Sequence, residues 1–557
     1  MIIGLDIGGT HADAVLIDKD RILKQVKIPT DHSDLFSTVL EGLSKLTEGI
    51  NTSEISRAVL STTLTTNAIA EKKTDNAGMI IAAGPGLDPE LFRMSKNYFI
   101  VEGALDHRGR EIKKIDKNQV LAAAKKMKEK GVQHVGIVTK FSTRNPEHEK
   151  EIAALIAKDF DAVFMGHNVS GNLNFPRRIA TTYLNASVYP VHKAFFEAVI
   201  KSLDEKGLKF PIHLLKADGG TMLFEASINQ PAQTIQSGPA ASVMGALASA
   251  PKDKDIIVLD IGGTTTDIAI LISGVPVLEP AGIKIGAYKT LIRSLKTKSI
   301  GMGGDSFVRV EDGEVKIGPE RKGPAMAFGG SSPTPTDALF VLGLASDGDK
   351  TAAEKGISEI AEKTDRTLIE AADEIFRSTC RQIIECADEM IDEINSRPVY
   401  TIHDFIESYQ INPGLIMVMG GPASLFAPML EEMSGIETVA VPSWGVASAL
   451  GAGLSRPTCE VTFFADTERG IAIAPEENFS MEVKHNFVKT DAYSKACELL
   501  KKKAALHGGL MEDSQIETLE DLSFNMIRGY RSSGKNIRIR VQIKPGLMPG
   551  FESIAQS

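Results

Sequence analysis

Cysteine is scarce in this chain, and its scarcity excludes one broad class of fold. Four cysteines occur in 557 residues, which is too few for a disulfide framework, and no two of them have the Cys-x-x-Cys spacing of a zinc site. Cys380 and Cys386 lie in a helix-like stretch, where we expect small buried side chains. The composition therefore fits a reducing compartment, and we expect the cytoplasm.

A basic excess and long apolar runs are also lacking. The formal net charge is −10, so we expect no nucleic-acid partner, since a broad binding surface would need a basic stripe. No apolar run reaches about 18 residues, so we expect no membrane span. Met1 leads directly into a strand-like run, without the charged and apolar regions of a secretory leader.

Short apolar strands alternate with amphipathic helices through most of the sequence. Strand-like runs are IIGLD, AVLI, RAVLST, GMIIAA, HVGIVTKF, AVFMGH, IHLLKA, IIVLDI, IAILIS, LIMVMGG and TVAVPS. Helical periodicity marks LFSTVLEGLSKLTEG, QVLAAAKKMKEKG and HEKEIAALIAKDF. This alternation predicts an α/β architecture in which helices cover sheets. In the third helix we interpret His148 and Glu149 as a surface pair of the first turn, not as metal ligands.

One stretch of sixteen residues occurs twice, at residues 2–17 and 256–271, with nine identical positions. In each copy an apolar strand ends in an aspartate, Asp6 or Asp260, and the residues Ile-Gly-Gly-Thr follow. Two strands joined by Gly-Gly form a hairpin that a ligand can approach closely, because glycine has no Cβ. Backbone N–H groups and threonine hydroxyls at such a turn can bind phosphate oxygens.

The repeat therefore predicts two related lobes whose hairpins hold one nucleotide from both sides. Asp6 and Asp260 are placed to hold Mg²⁺ through its retained waters. A third glycine turn, at Gly420 and Gly421 between a strand and a helix, is predicted to contact the adenosine. Small residues in 237–249 and 444–455 predict two closely packed helices. The predicted phosphate contacts of the two hairpins are Gly8, Gly9, Thr10, Gly262, Gly263, Thr264 and Thr265.

These features together resemble the actin, sugar-kinase and heat-shock-chaperone ATPase superfamily. Within it the chain is similar to the hydantoinase A/oxoprolinase family, the ATP-using subunits of N-methylhydantoinases and 5-oxoprolinases. The resemblance covers about residues 1–455. It rests on DIGGTHAD (6–13), STTLTTNAI (61–69), SGPAASVMGA (237–246), DIGGTTTD (260–267), SIGMGGDS (299–306), the run 317–343 and VMGGPASLF (418–426).

The resemblance implies an α/β fold with two actin-like ATPase (ribonuclease H-like) lobes and a nucleotide cleft between them. It implies an N-terminal hydantoinase/oxoprolinase lobe over residues 1–200 and an ATPase lobe over 201–455. Residues 456–557 are predicted to form a small C-terminal α+β domain. The implied cofactors are ATP and Mg²⁺, and the implied partner is a hydantoinase B-like second subunit. Homo-oligomerisation is left open.

The implied activity is that of an ATP-dependent hydrolase subunit that phosphorylates a cyclic amide for ring opening. The amide would be of the 5-oxoproline, hydantoin or lactam type. Two alternatives stay open: the ATP-using subunit of a ketone carboxylase, and a regulatory ATPase that remodels a protein partner. The implied catalytic residues are Asp6, Asp260 and Asp305, with Gly303 and Gly304 as further nucleotide contacts and His11, Thr62, Thr63 and Asn67 near the substrate.

Three departures from the family pattern bear on these roles. His11-Ala12 replaces a frequent Phe-Thr pair, and His11 is either a substrate contact or a tolerated substitution. Asp305 stands where relatives often have a small residue, which makes it a candidate for orienting water or metal. Ala327-Phe328 replaces a frequent Cys-Tyr pair, which predicts a changed substrate specificity if that pair contacts substrate.

Overall fold

The structure is a computed structural model that describes residues 1–8, 11–19, 21–31, 34–70, 74, 76–279, 281–396, 410–509 and 516–551. Its strands are β1 (Ile2–Ile7), β2 (His11–Asp18), β3 (Arg21–Pro29), β4 (Arg57–Thr62), β5 (Gly78–Ala82), β6 (Tyr98–Ile100), β7 (Ala104–Leu105), β8 (Glu111–Lys113), β9 (His134–Thr139), β10 (Ala162–Met165), β11 (Ile212–Leu215), β12 (Thr221–Leu223), β13 (Ile256–Ile261), β14 (Thr266–Ile272), β15 (Val275–Pro276), β16 (Lys284–Ile285), β17 (Tyr288–Lys289), β18 (Thr297–Ile300), β19 (Val308–Glu311), β20 (Glu314–Ile317), β21 (Leu415–Met419), β22 (Thr438–Ala440), β23 (Glu460–Asp466), β24 (Ile471–Ala474), β25 (Phe479–Glu482), β26 (Ile516–Arg528) and β27 (Arg531–Ile543).

Fourteen α-helices lie within the described ranges. They are α1 (Leu35–Thr47), α2 (Leu64–Ala70), α3 (Lys117–Glu129), α4 (Glu147–Ile156), α5 (Gly166–Val169), α6 (Phe175–Glu205), α7 (Phe224–Ser227), α8 (Ser237–Leu247), α9 (Pro335–Val341), α10 (Lys350–Thr364), α11 (Leu368–Asn395), α12 (Ala423–Ser434), α13 (Ala447–Leu454) and α14 (Lys489–Leu506). All eleven predicted strand runs coincide with elements of this set, as do the three helices predicted from periodicity and the two predicted from small residues.

Two six-stranded sheets repeat one arrangement. In the first sheet the strand order is β12-β11-β4-β1-β2-β3, with β1 antiparallel to β2 and parallel to β4. In the second sheet the order is β15-β14-β13-β21-β22, with β18 also paired to β14, and β13 is antiparallel to β14 and parallel to β21. The hairpin followed by a parallel strand is the arrangement expected of actin-like lobes. The α/β fold class is confirmed.

A third sheet, in the order β10-β9-β5-β6, is parallel throughout. Its strands are apolar on both faces, as parallel sheets between helices require. The prediction that His148 and Glu149 lie on the surface beside it is wrong, because both are buried. Glu149 accepts hydrogen bonds from the backbone N–H groups of Thr139 and His167, at 2.7 and 2.8 Å, and so joins strand β9 to helix α5.

The C-terminal part is an antiparallel sheet packed on one helix. Its strand order is β25-β24-β23-β27-β26, and α14 covers one face. Alternate residues of β27, such as Ile537, Ile539 and Val541, face that helix and are fully buried. This is the α+β arrangement predicted for the end of the chain. The domain divisions at residues 200 and 455 remain predictions.

Two helices with small residues cross between the repeated sheets. A Cβ atom placed on Gly451 of α13 would lie 2.2 Å from the backbone nitrogen of Gly245 in α8. A Cβ atom on Gly4 of β1 would lie 1.9 Å from the carbonyl oxygen of Ala449. Because side chains of any size would separate these backbones, the close packing predicted for the two helices depends on glycine.

Candidate functional site

The two repeated hairpins have the same internal geometry. Asp6 lies directly across from Asp13 in the β1–β2 pair, and Asp260 lies across from Asp267 in the β13–β14 pair. The turns close alike: the Gly8 N–H donates to the His11 carbonyl at 3.0 Å, and the Gly262 N–H donates to the Thr265 carbonyl at 2.9 Å. Of the predicted phosphate contacts, Gly9 and Thr10 lie outside the described residues.

The loop at residues 301–306 lies on the second hairpin. The Gly304 N–H donates to the Gly262 carbonyl at 2.9 Å, and the Asp305 N–H donates to the Gly263 carbonyl at 2.7 Å. A Cβ atom on Gly303 would lie 2.5 Å from the Gly262 carbonyl oxygen. The structure therefore brings the predicted residues Gly303, Gly304 and Asp305 directly to the Gly262–Gly263 turn.

The late glycine turn reaches the same place from another direction. Gly420, between β21 and α12, has a φ of +94°, which favours glycine. A Cβ atom there would lie 2.2 Å from the Ile261 carbonyl oxygen and 2.8 Å from Asp260 Oδ1. Gly421 follows, and a Cβ atom there would meet no described atom within 4 Å. The backbone of this turn thus borders the Asp260 carboxylate.

Burial is the main cause of the raised pKa values of three hairpin aspartates. It raises the pKa of Asp6 to about 7, with the negative charges of Asp13 and Asp260 adding to the rise and a hydrogen bond with Ser61 opposing it. Burial also raises the pKa of Asp260, against a hydrogen bond from Ser242. It raises the pKa of Asp267 to about 6. The charge of Asp260 raises the pKa of Asp6, and the charge of Asp13 raises the pKa of Asp260. Since these residues come from different sheets, the two hairpins lie close together.

The carboxylates have the coordination capacity that a hydrated cation needs. Asp6 Oδ1 and Asp267 Oδ1 are buried without a hydrogen-bond partner among the described residues. Within the same residues no three or more His, Cys, Asp or Glu side chains form a cluster that could bind a metal by itself. Mg²⁺ is commonly held by one or two carboxylates, several waters and the phosphates of its nucleotide. The carboxylates of Asp6 and Asp260 therefore fit this ion.

Two further side chains contact the hairpin aspartates and were not predicted. Ser242 of α8 donates a hydrogen bond to Asp260 Oδ2 and lies 3.2 Å from the Ser448 hydroxyl of α13. Lys27 of β3 forms an ion pair of 2.6 Å with Asp13. Ser242 stands within the motif at 237–246, but only the fold shows that its side chain points to the carboxylate.

The predicted substrate residues divide into two groups. Thr62 exchanges hydrogen bonds with Ser237 at the start of α8, and the Asn67 side chain donates to the Thr63 hydroxyl at 3.2 Å. Thr62, Thr63 and Asn67 therefore lie beside α8, the helix whose Ser242 donates a hydrogen bond to Asp260. His11 is exposed and pairs in register with Pro29 on β3, outside that group.

An open groove of about 550 Å³ borders the first hairpin's sheet. It is lined by Gln25 and Lys27 of β3 and by Trp444 and Val446, which precede α13. Trp444 is the single tryptophan of the chain and is 40% exposed. Lys27, which lines the groove, also pairs with Asp13 of the hairpin.

The matching protein families cover most of the chain. The family described as Hydantoinase/oxoprolinase matches residues 178–461, and the Hydantoinase/oxoprolinase N-terminal region matches residues 2–160.

The chain belongs to the hydantoinase/oxoprolinase family.

Similar proteins share about a quarter of their residues with this chain. An uncharacterized protein of Methanocaldococcus jannaschii is 26% identical over 505 residues, which cover 81% of this chain and 72% of that protein. Caprolactamase subunit alpha of Pseudomonas jessenii is 26% identical over 386 residues, which cover 62% of this chain and 55% of that subunit. The hydantoinase/oxoprolinase chain thus matches little more than half the length of the caprolactamase subunit.

Two solved structures share the fold over nearly all of this family member. The ATP-dependent caprolactamase of Pseudomonas jessenii superposes with a TM-score of 0.73 at 20% identity, covering 99% of this chain and 88% of that chain. The nucleotide-free structure of acetone carboxylase superposes with a TM-score of 0.67 at 17% identity and the same coverage. In the described residues, no helix combines the length and apolar character that a membrane span requires.

Proposed function

We propose that this hydantoinase/oxoprolinase chain binds ATP between its two hairpins and transfers the terminal phosphoryl group to the carbonyl oxygen of a cyclic amide. The observation that carries the proposal is the pair of half-buried aspartates, Asp6 and Asp260, at equivalent positions of two equivalent hairpins. Glycine turns at 262–263, 303–304 and 420–421 meet beside the second hairpin, where backbones without Cβ atoms allow phosphate to approach closely.

The names of the similar proteins support ATP use and an amide or ketone substrate. Caprolactamase acts on a lactam, and both superposed enzymes, caprolactamase and acetone carboxylase, are ATP-dependent. Phosphorylation is chemically suited to such substrates, because a carbonyl oxygen is a poor leaving group until it carries phosphate. Phosphoryl transfer in turn depends mainly on positioning and charge neutralisation. Two hairpins on opposite sides of the nucleotide would supply both.

The proposed reaction has three balanced steps. The amide oxygen attacks the terminal phosphorus, the bond to the bridging oxygen breaks, and ADP leaves with the electron pair. Water adds to the activated carbon, and the ring nitrogen leaves as it takes up a proton, which gives an acyl phosphate. A second water releases phosphate and leaves an open-chain amino acid.

This chain's residues have separate roles in the first step. Asp6 and Asp260 would hold Mg²⁺, which supplies positive charge to the phosphates when bound. The backbones of Gly8, Gly262 and Gly263 would orient the phosphates, with Gly9, Thr10, Thr264 and Thr265 as further contacts. Thr62, Thr63, Asn67 and His11 would border the cyclic amide. Asp305 would orient the groups beside the terminal phosphate.

We also propose a second subunit that completes the hydrolysis. Caprolactamase subunit alpha is named as one subunit of an enzyme, which supports a partner of this kind. A hydantoinase B-like chain would supply the groups that activate water, since this chain's cleft offers aspartates already committed to phosphate and metal. The proposal also includes the predicted domain divisions at residues 200 and 455. Association of identical chains remains a further possibility within it.

The experiment that tests the function uses the chain purified with its native partners. ATP turnover is measured with and without Mg²⁺ over 5-oxoproline, hydantoins, lactams and ketones, together with the organic product. Turnover stimulated by a cyclic amide, with one open-chain product per ADP, supports the proposal. Turnover stimulated by a ketone with bicarbonate identifies a carboxylase instead. Turnover that only a protein partner stimulates, without an organic product, identifies a regulatory ATPase.

A further inference from the structure

Arg321 lies beside the second hairpin and has no role in the site as described so far. Its Nη2 donates to Asp305 Oδ2 at 2.8 Å. Asp305 in turn lies against the turn, since a Cβ atom on Gly263 would be 2.6 Å from the same carboxylate oxygen. One carboxylate therefore separates the guanidinium from the backbone proposed to bind phosphate.

The backbone around Arg321 is fixed to the same loop. The Phe307 N–H donates to the Glu320 carbonyl at 2.8 Å, directly before Arg321. Pro319 packs on the loop from the other side, since a Cβ atom on Gly301 would lie 2.8 Å from the Pro319 Cβ. The segment that carries Arg321 thus moves with the 301–306 loop and the hairpin, so the position of the guanidinium does not depend on one ion pair.

The side chain combines this fixed origin with partial exposure to solvent. Arg321 has 31% of its side chain exposed, and Asp305 has 17%. Burial raises the pKa of Asp305, and the charge of Arg321 opposes that rise. The guanidinium can therefore stay paired with Asp305 and still present further N–H donors, because it carries five in a planar fork.

The charges of the cleft indicate what those donors would bind. The hairpins and their loop contribute Asp6, Asp13, Asp260, Asp267 and Asp305. The triphosphate adds more negative charge, and the transferred phosphoryl group needs positive charge at its outer oxygens. At the first hairpin Lys27 pairs with Asp13. At the second hairpin Arg321 brings a cation to the Asp305 carboxylate.

We propose that Arg321 is a catalytic residue whose guanidinium contacts the terminal phosphoryl group of the nucleotide, while Asp305 positions it. This inference rests on the proposed function and adds to it a phosphate-binding cation supplied by the same chain. An arginine placed in this way stabilises charge in the transferred group more than in the bound ground state, so its main effect is on turnover.

The test compares ligands that differ only at the terminal phosphoryl position. Affinities of the full chain for ADP and for ADP with aluminium fluoride, which mimics the transferred group, are measured in Mg²⁺ by calorimetry. Arg321→Ala and Arg321→Lys are compared with Lys316→Ala as a matched control. Lys316 lies five residues away in an exposed ion pair with Glu314. ATP turnover of the purified complex is measured in parallel.

We expect Arg321→Ala to weaken the fluoride complex at least about tenfold and turnover about 100-fold, with ADP affinity within about threefold of wild type. Arg321→Lys should retain part of the affinity for the fluoride complex and part of the turnover. Lys316→Ala should match wild type in both. Equal behaviour of Arg321→Ala and wild type overturns the inference, as does an equal loss of ADP affinity, which would mean a structural role. A wild-type chain that binds neither ligand overturns the proposed function itself.

Discussion

Asp6 and Asp260 are half-buried carboxylates, and their loss of water determines how each responds to pH and to a cation. Removing a carboxylate from water disfavours its charged form, which is the main physical reason for the raised pKa values of both residues. A bound cation removes that penalty. Asp6 and Asp260 therefore combine a local cost to the free protein with a gain on ligand binding, a combination typical of functional sites.

Replacing Asp260 should abolish nucleotide turnover without unfolding the chain. We expect Asp260→Ala to lower Mg²⁺-dependent ATP turnover at least about 100-fold, because one of two proposed cation ligands is lost. Turnover is assayed on the native complex, and circular dichroism checks the fold. The exposed Asp253, replaced by asparagine, serves as a control of equal charge change. Full activity of Asp260→Ala would remove that aspartate from the proposed site.

The pKa of Asp6 predicts a stability change with a definite sign. Because burial raises this pKa from 3.8 to about 7, the stabilising contribution of the protonated group is complete below pH 4 and is lost as pH rises through 7. In the metal-free protein we expect Asp6→Asn to unfold at a temperature at least about 2 °C above wild type at pH 8. At pH 5 the difference should shrink, because wild-type Asp6 is then neutral.

Thermal unfolding of both proteins in chelator between pH 5 and 8 measures this difference. The same series with Mg²⁺ and ATP should reverse the order at pH 8, since only the carboxylate binds the cation. A wild-type protein as stable as Asp6→Asn at every pH would contradict the burial of an unpaired charge.

At the scale of elements, the two crossing helices control how close the repeated sheets approach. Gly451 of α13 and Gly245 of α8 meet backbone to backbone. The Arg57 side chain of β4 adds hydrogen bonds of 2.7 and 2.8 Å to the carbonyls of Gly453 and Ser455 at the end of α13. The helix pair is therefore connected to the strand beside the first hairpin as well as to Asp260, through Ser242.

A single methyl group at this crossing should destabilise the protein. We expect Gly451→Ala to cost about 1–3 kcal/mol in free energy of unfolding, because the added Cβ would lie 2.2 Å from a backbone nitrogen. Urea unfolding measures this change in the free energy of unfolding. Gly445→Ala is the matched control on the segment before α13, where a Cβ atom meets no described atom within 4 Å. Equal stability of the two variants would show that the helices can separate freely.

Sequence patterns predicted elements with clear periodicity. A long helix that lacks such periodicity was missed. Helix α6 runs from Phe175 to Glu205, yet was not predicted, because much of its first half is buried on every side and no polar face marks the 3.6-residue period. His148 and Glu149 were placed on the surface because charge suggests exposure. Glu149 is buried because its partners, Thr139 and His167, come from other elements that a local pattern does not contain.

The residues of the site also fall into those that local sequence patterns predicted and those that they missed. The hairpins and glycine turns were predicted, because Asp-Ile-Gly-Gly-Thr is a local signature and its repetition made it specific. Ser242, Lys27 and Arg321 were missed as individual residues, because their roles depend on which side chain folds back onto which carboxylate. Such contacts join residues far apart in sequence and leave no spacing to detect.

At the scale of the whole molecule, buried ion pairs connect the C-terminal sheet to the rest. Arg108, in the turn between β7 and β8, donates to both carboxylate oxygens of Asp466 at 2.8 and 3.0 Å and also contacts Glu468. Lys216 and Thr458, which precedes β23, meet at Asp218. These groups are largely buried, so removing one partner would leave a buried charge without compensation.

Removing one partner should loosen this connection without affecting the nucleotide site. We expect Arg108→Ala to cost about 3 kcal/mol in free energy of unfolding, because the fully buried Asp466 loses its counter-ion. Hydrogen exchange over β23 should quicken, while ADP affinity stays within about twofold. The exposed Arg110, replaced by alanine, is the control. Unchanged exchange in β23 would mean that other contacts alone hold the sheet.

The groove beside the first hairpin gives this protein an optical property of its own. All indole emission must come from Trp444, which lies between Lys27 and the start of α13. Since α13 packs on β1 and β2 of the first sheet and on α8, the ring lies close to the sheet that carries Asp6. Unlabelled protein therefore carries one built-in reporter, and stopped-flow fluorescence can test whether its surroundings change when ATP is added, without any engineered dye.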